Sequence, residues 1–274
     1  MLSYQHHYHA GNHADVLKHW LLLECVQHLQ KKDKPFDYID THAGAGCYNL
    51  RSVEARKTSE AQQGVQKLPW AELPELAYYR ERVSTDLQGD RYPGSPLLVA
   101  RELRRGDRAW LFELHPRAVV ELERNCSRKR VCHVRKEDGF KALLSLLPNA
   151  SRRALVLIDP SYEVKSDYRT VVSVAATALQ KMPQTMLLIW YPVVERSRIK
   201  VLEQDVKKAG LRNAQLFELG VADDGGAGMS ASGLIAINPP WTLAEKFQKL
   251  APALSAALAP DGKPRWRHQV LVPE

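Results

Sequence analysis

Short apolar runs alternate with helix-prone segments over most of this chain, and this alternation constrains the fold more than any other feature. Each run is too short to cross a membrane and has the length of a buried strand. The predicted strands are residues 36–39, 110–112, 131–134, 155–158, 186–190, 214–219 and 234–237. An alternation of strand and helix predicts a parallel sheet with helices on both faces.

The last two predicted strands are joined by the glycine-rich segment 223–228 instead of a helix, which predicts an antiparallel hairpin. We therefore predict an α/β, Rossmann-like fold: seven strands in a mostly parallel sheet, with an antiparallel C-terminal hairpin. A polar, helix-prone stretch from 51 to 90 follows the first strand and predicts a small helical insertion. The main domain would then comprise residues 1–50 and 91–274, and the insertion subdomain residues 51–90.

A helix is predicted before the first strand. Asn12 is suited to cap it and Asp15 lies in its first turn, while the charged run 31–34 and Pro35 end it.

Composition favours a cytoplasmic protein that folds without disulfides. The hydrophobic fraction is 45%, no apolar run reaches the length of a membrane span, and the four cysteines form no C-x-x-C pair. Histidines near the start stand where a signal peptide would carry an apolar region. A net charge of +8 is suited to a polyanionic partner, although a solvated basic surface explains it equally well.

A glycine turn follows the first strand. Asp40 ends the strand, and Gly44 and Gly46 let the backbone approach a nucleoside-type ligand at the carboxyl ends of the strands. Position 49 is Asn49, so the third glycine of a nicotinamide fingerprint is absent. Glu113 comes directly after the second strand, where a carboxylate accepts both hydroxyls of a ribose. Alternatively, such acids only cap the helices that follow the strands.

The run Asp159-Pro160-Ser161-Tyr162 follows the buried strand 155–158. An exocyclic base amine is a poor nucleophile because its lone pair is delocalised into the ring. A carboxylate at Asp159 and the carbonyl of Pro160 would accept its two hydrogens, and Tyr162 would stack on the unstacked base. The run is similar to the D-P-P-Y motif of amino-methyltransferases that modify adenine or cytosine, with Ser161 replacing the second proline. Taken alone, the run is better explained as a structural Asx-Pro turn with Tyr162 packed against the core. Because it follows a glycine turn, in a strand of matching rank, we favour the catalytic interpretation.

Longer blocks of sequence resemble one family. The blocks are Leu2-Ser3-Tyr4, His9 to His19, Asp40 to Gly46, Tyr92 to Pro96, Glu113 to Pro116, Asp138 to Phe140, Trp190 to Val194 and Ile237 to Trp241. They closely resemble the RlmJ family, bacterial adenine-N6 methyltransferases of large-subunit (23S) ribosomal RNA, and the resemblance runs from Met1 to Glu274. It implies S-adenosyl-L-methionine as methyl donor, and seven such strands are the arrangement that enzymes using this donor share.

The resemblance also implies roles for single residues. Asp159 matches the catalytic acid, which also lies near the cofactor, and Tyr4 matches a residue that meets the RNA. The positions that match cofactor contacts are Lys18, His19, His42, Ser95, Glu113, Asp138 and Gly139. Gly44 joins this set from the glycine turn. The resemblance alone indicates that the methylated base is adenine and not cytosine.

Other readings stay open at this point. The N-terminal histidines invite a metal site, but Gly11 and Asn12 separate His9 from His13 and no ligand set is complete, so we predict none. The chain could instead be an inactive RNA-binding module, or an enzyme of the same fold acting on a small-molecule amine. Basic residues of the insertion would hold RNA or form a solvated face. We expect a monomer.

Overall fold

The structure is a computed structural model that describes residues 5–226 and 228–274. Tyr4, the predicted RNA contact, lies outside these residues. The strands are β1 Asp37–Asp40, β2 Cys47–Asn49, β3 Arg91–Pro93, β4 Arg108–Phe112, β5 Cys132–Arg135, β6 Ala154–Ile158, β7 Met186–Val193, β8 Ala214–Gly220, β9 Ala231–Ile237 and β10 Arg265–Val272. The helices are α1 His13–Gln30, α2 Val53–Thr58, α3 Glu60–Gln63, α4 Ala77–Gln88, α5 Ser95–Glu102, α6 Pro116–Cys126, α7 Gly139–Leu146, α8 Asp167–Lys181, α9 Arg196–Lys208 and α10 Leu243–Leu258.

Eight of the strands form one sheet in the order β5-β4-β1-β6-β7-β9-β8-β10. Strands β5, β4, β1, β6 and β7 are parallel neighbours, and β9 pairs antiparallel with both β7 and β8. The predicted α/β, mostly parallel fold with an antiparallel C-terminal hairpin is therefore confirmed.

An eighth strand, β10, was not predicted. It pairs antiparallel with β8 at the edge of the sheet. Its sequence, RWRHQVLV, is mostly polar, and only Leu271 is buried. An edge strand needs little apolar surface, so the hydrophobic pattern did not reveal it.

Both faces of the sheet are covered. Successive residues of a strand point to opposite faces, so Leu155 and Leu157 pack in the core beneath α1, α5 and α10, whereas Val156 and Ile158 pack beneath α7, α8 and α9. Helix α1 begins as predicted, with the Asn12 side chain accepting from the Asp15 N–H at 3.0 Å. No helix in the described part of the chain is long and apolar enough to cross a membrane.

The stretch 51–90 contains α2, α3 and α4, and the antiparallel pair β2–β3 flanks it at its base. Its buried side chains Leu76, Tyr79 and Val83 belong to the same apolar core as α1. The division into a main domain and an insertion subdomain stays a prediction.

Candidate active site at the carboxyl edge of the sheet

A cavity of about 330 Å³ opens at the carboxyl ends of the parallel strands. The strands β4, β1 and β6 are neighbours in the sheet. Glu113 and Asp159 directly follow β4 and β6, and Asp40 is the last residue of β1, so the three acids lie at the same edge. A cavity at this edge is where an open α/β sheet binds its ligand, and its volume is suited to a small molecule. The predicted site residues that line it are Lys18, His19, His42, Gly44, Ser95, Glu113, Asp159 and Pro160.

The Asp159 carboxylate is held from one side only. Lys18 Nζ donates to its Oδ2 at 2.7 Å, and no other described residue donates to Asp159. Burial raises the pKa of Asp159, and the Lys18 charge opposes this shift. Oδ1 is therefore an acceptor with a free position at the cavity wall.

Lys18 is itself fixed by a second acid, Asp15, one turn earlier in α1. Asp15 Oδ1 lies 2.9 Å from Lys18 Nζ, and its Oδ2 is 2.9 Å from both His6 Nε2 and the Gly11 N–H. Burial alone would lower the pKa of Lys18, but Asp15 and Asp159 raise it above its ordinary value. The ammonium stays charged although its side chain is only 5% exposed.

Sequence reasoning did not assign Asp15 to the site. It recognised this residue only as part of the first turn of α1, since nothing local shows that a helical acid faces inward. Its burial, with 1% of the side chain exposed, identifies it. A buried acid between two bases is typical of a group that positions others.

His19 and Asp40 belong to two further buried hydrogen-bonded chains. His19 Nδ1 lies 2.8 Å from the Tyr92 hydroxyl, which lies 2.8 Å from that of Tyr79. Burial lowers the pKa of His19 to about 3, so the ring is neutral. Asp40 Oδ2 accepts hydroxyl hydrogen bonds from Tyr38 and Ser95, each at 2.7 Å.

The glycine turn and Glu113 form the next part of the wall. Glu113 Oε2 accepts from the Gly44 N–H at 2.9 Å, and Oε1 accepts from the His115 N–H at 2.7 Å. Each carboxylate oxygen keeps a lone pair for a ligand hydroxyl. Gly44 has a φ of +62°, and a side chain there would meet the Tyr48 hydroxyl at 2.3 Å. Glycine is therefore required at this position.

Asp138 and Gly139 stand beside the cavity lining, at the start of α7. Asp138 caps this helix by accepting from the N–H groups of Phe140 and Lys141. Gly139 packs against the turn after β1, where an added Cβ would lie 2.0 Å from the Thr41 carbonyl oxygen. The His42 ring, which lines the cavity, contacts Phe140 edge-on at 4.9 Å between centroids, and burial lowers its pKa to about 4.

Tyr162 does not line the cavity. Its φ of +57° turns the side chain into the core, where only 8% of the residue is exposed and its ring lies 4.4 Å from that of Tyr168. Its hydroxyl donates to the carbonyl of Trp190 at 2.5 Å. The aromatic ring that lines the cavity beside Asp159 is that of Trp190, and its Nε1 is tied to Ser232 at 2.8 Å. Tyr162 therefore packs behind Trp190, which forms the aromatic wall of the cavity. The motif had predicted that Tyr162 itself would face a base.

The sequence matches the protein family described as "Ribosomal RNA large subunit methyltransferase D, RlmJ" over residues 33–272. The chain belongs to the RlmJ family. A Haemophilus influenzae protein named "Ribosomal RNA large subunit methyltransferase J" is 41% identical over all of both chains. An Escherichia coli protein of the same name is 42% identical, again over all of both chains.

A solved structure shares the fold over nearly the whole chain. The crystal structure of a Legionella pneumophila protein superposes with a TM-score of 0.84 and 29% sequence identity, covering 95% of this chain and 98% of the other. The resemblance read from the sequence is therefore confirmed at the level of family and fold.

The N-terminal histidines of this RlmJ-family chain contact carboxylates. His6 Nε2 lies 2.9 Å from Asp15, and His9 Nδ1 lies 2.8 Å from Glu60. In residues 5–226 and 228–274, no three His, Cys, Asp or Glu side chains are grouped as a metal site would need. Gln5, His6 and His7 line the cavity.

Proposed function

We propose that this protein transfers a methyl group from S-adenosyl-L-methionine to the exocyclic N6 amine of an adenine in large-subunit ribosomal RNA. Membership of the RlmJ family and the names of two full-length relatives support methylation of ribosomal RNA. The donor and the adenine amine are supported by the chemistry of the cavity together with the D-P-x-Y run.

The position of Asp159 carries the proposal. One of its oxygens is held by Lys18, and the other is open to the cavity beside Pro160 and the Trp190 ring. A base amine seated there would donate one hydrogen to Oδ1 of Asp159 and the other to the Pro160 carbonyl. This leaves the nitrogen lone pair free to point at a methyl donor.

Proton removal follows from the same contacts. Methyl transfer would break the sulfur–methyl bond of the donor, leave a neutral thioether and make the amine cationic; an ionised Asp159 would stabilise that charge and accept the proton. Lys18 favours the ionised form of Asp159 against the effect of burial. Asp15 keeps the Lys18 ammonium within 2.7 Å of the carboxylate by holding its other side. Asp15 is thus a positioning residue and Asp159 the catalytic one.

The residues around the cavity fit the proposed cofactor, which supplies an electrophilic methyl group when bound. Glu113 has lone pairs free for ribose hydroxyls, and Gly44 allows close approach of the backbone. Asp138 and Gly139, at the start of α7, would border its adenine, and His42 and Ser95 would complete the wall. Lys18 and His19 would hold it from α1.

The test is Asp159→Ala with unmodified ribosomal RNA and labelled S-adenosyl-L-methionine. We expect turnover to fall by about 10²- to 10⁴-fold, because the proton acceptor is lost. The fold should persist, since Asp15 still compensates the Lys18 charge. Mass spectrometry of the nucleosides reports which base and position is methylated.

Asp261→Ala is the matched control, because it removes an exposed carboxylate that also pairs with a base, Arg265. Near-normal turnover in Asp159→Ala would contradict the role of Asp159 as the catalytic proton acceptor. RNA binding without transfer by the unmodified protein would favour an inactive RNA-binding module, and transfer to free amines without RNA would favour a small-molecule enzyme. Methylcytosine in place of N6-methyladenine would overturn the choice of base.

A further inference from the structure

A second charged surface lies at the opposite edge of the sheet from the cavity. Four segments precede four adjacent parallel strands there: 127–131 before β5, 104–107 before β4, 31–35 before β1 and 149–153 before β6. Together they contain ten lysines and arginines and two aspartates. We call these four segments the basic edge.

Hydrogen bonds join three of the four segments into one surface. The Arg104 guanidinium donates to the carbonyls of Gln30, Lys32 and Lys34. That of Arg153 donates to the carbonyls of Leu29 and Lys34. These contacts fix the backbone of 29–35, so the lysine side chains project from a rigid platform.

The positive charge of this surface is largely uncompensated. Of the two aspartates, Asp107 is buried and holds Arg104, which leaves Asp33 as the exposed acid. Eight exposed bases of the basic edge have no carboxylate within ion-pair distance among residues 5–226 and 228–274: Lys31, Lys32, Lys34, Arg105, Arg128, Lys129, Arg130 and Arg152.

Neighbouring titratable groups respond to this charge. The pKa of His28 is lowered by burial and by Lys31, Lys32 and Arg153. The pKa of Arg153 is lowered by burial and by Arg104. In both groups burial is the larger cause, and the neighbouring cations add to it.

An exposed aromatic ring stands next to the basic edge. Trp241 follows β9, which runs antiparallel to β7, so β9 ends at the edge of the sheet where β7 begins. The residue is 80% exposed. Its neighbour Thr242 lines a groove of about 520 Å³ together with His28 and Lys31. A row of bases beside an open aromatic ring is the combination that binds phosphates and stacks an unpaired nucleotide.

We propose that the basic edge and Trp241 form a second RNA-binding surface that contacts a segment of RNA distant from the methylated nucleotide. The inference rests on the proposed function only in taking ribosomal RNA as the polyanion. The five residues of β6 alone separate this edge from Asp159 by about 17 Å. The phosphates on the basic edge therefore belong to other nucleotides than the one in the cavity.

The test compares a full-length large-subunit RNA transcript with a fragment of about 20 nucleotides around the methylated adenine, using Lys31→Gln/Lys32→Gln/Lys34→Gln. Binding to the full-length RNA should weaken about tenfold or more, and the slope of log K against log salt should become shallower by about two to three. On the short fragment, kcat and KM should stay within about twofold of the unmodified protein, because the cavity is intact. Trp241→Ala should weaken full-length RNA binding by about fivefold or more.

The matched control is Lys200→Gln/Lys249→Gln/Lys263→Gln, which removes three exposed lysines outside the basic edge. A second variant, Arg105→Gln/Arg152→Gln, should reproduce the pattern from two other segments. Equal losses in the control, or equal losses on both RNAs, would overturn the proposal, as would unchanged binding in both basic-edge variants. Direct binding decides the inference even if no methyl transfer is observed, whereas absence of transfer by the unmodified protein counts against the proposed function alone.

Discussion

Three aspartates in or beside the cavity differ in what compensates their charge. Asp15 contacts Lys18 and His6, and Asp159 contacts Lys18. Asp40 accepts hydrogen bonds from the hydroxyls of Tyr38 and Ser95 and from the His42 N–H, and has no ion pair among the described residues. Burial raises the pKa of Asp40 to about 6, and the two hydroxyl hydrogen bonds only partly oppose it.

Asp40 should make stability depend on pH. Its folded-state pKa lies above the value of an unfolded chain, so its contribution to the free energy of unfolding is fully present below about pH 4. That contribution is lost as pH rises through about 6. Asp40→Asn keeps an acceptor for both hydroxyls and carries no charge, although its amide NH2 replaces the Oδ1 that accepts from the His42 N–H at 3.3 Å, a loss that is the same at every pH. We expect it to be more stable than the unmodified protein at pH 8, by up to about 3 kcal/mol, with the advantage fading towards pH 4.

Denaturant unfolding at pH 4.5 and pH 8 measures this effect, with Asp261→Asn as an exposed control. The difference between Asp40→Asn and the unmodified protein should be larger at pH 8. An equal difference at both values would mean that the charge of Asp40 is compensated by other means.

At the scale of elements, the cavity is assembled by the starts of helices and the ends of strands. Helix α1 supplies Lys18 and His19 from its second turn, fixed in position by the Asn12 cap. Helix α7 begins at Gly139 so close to the turn after β1 that no side chain fits between them. The turn that carries His42 and Gly44 is therefore held by backbone packing as well as by hydrogen bonds.

Gly139→Ala tests this packing. The added methyl group would overlap the Thr41 carbonyl, so the turn or the helix must shift. Overpacking of this kind costs about 1–3 kcal/mol, and we expect a lower free energy of unfolding together with weaker S-adenosyl-L-methionine binding by calorimetry. Gly226→Ala, where the nearest atom is 4.0 Å away, should change neither. Normal cofactor affinity in Gly139→Ala would show that the turn adapts.

At the scale of the whole molecule, charge is divided between the two edges of the sheet. The carboxyl edge has the acids Asp40, Glu113 and Asp159, and the amino edge has an excess of bases. Helix α2 packs on the 3-10 helix His6–Tyr8 and contributes Glu54 to the cavity lining. Arg56 and Lys57 are exposed on this helix.

Arg56→Glu/Lys57→Glu tests whether the insertion holds RNA. If both residues contact phosphates, the slope of log K against log salt for RNA binding should become shallower by about 1.4 to 1.8. Lys200→Glu/Lys263→Glu makes the same change in net charge elsewhere and should leave the slope unchanged. A slope equal to that of the unmodified protein would mean that this face is only solvated.

Much of this architecture follows from local sequence. Apolar runs of the period and length of strands predicted seven of the eight strands in the sheet, because burial on both faces leaves a continuous hydrophobic signal. Acids at the ends of successive strands, namely Asp40, Glu113, Asp138 and Asp159, indicated a ligand site at this edge, since parallel strands end at one edge. Strand β10 left no such signal, because its edge position exposes most of its side chains.

Tertiary structure alone decided how the site works. Lys18 and Asp159 are 141 residues apart in sequence, and no periodicity shows that they meet or that Asp15 holds them. The direction of Tyr162 depends on a left-handed φ and on a hydrogen bond to Trp190 from another strand, so the aromatic wall comes from a residue outside the motif. Local pattern therefore determined the elements and the edge that bears the cavity. Long-range packing determined the partner of each charge, because the energy of a buried charge depends on which groups surround it in space.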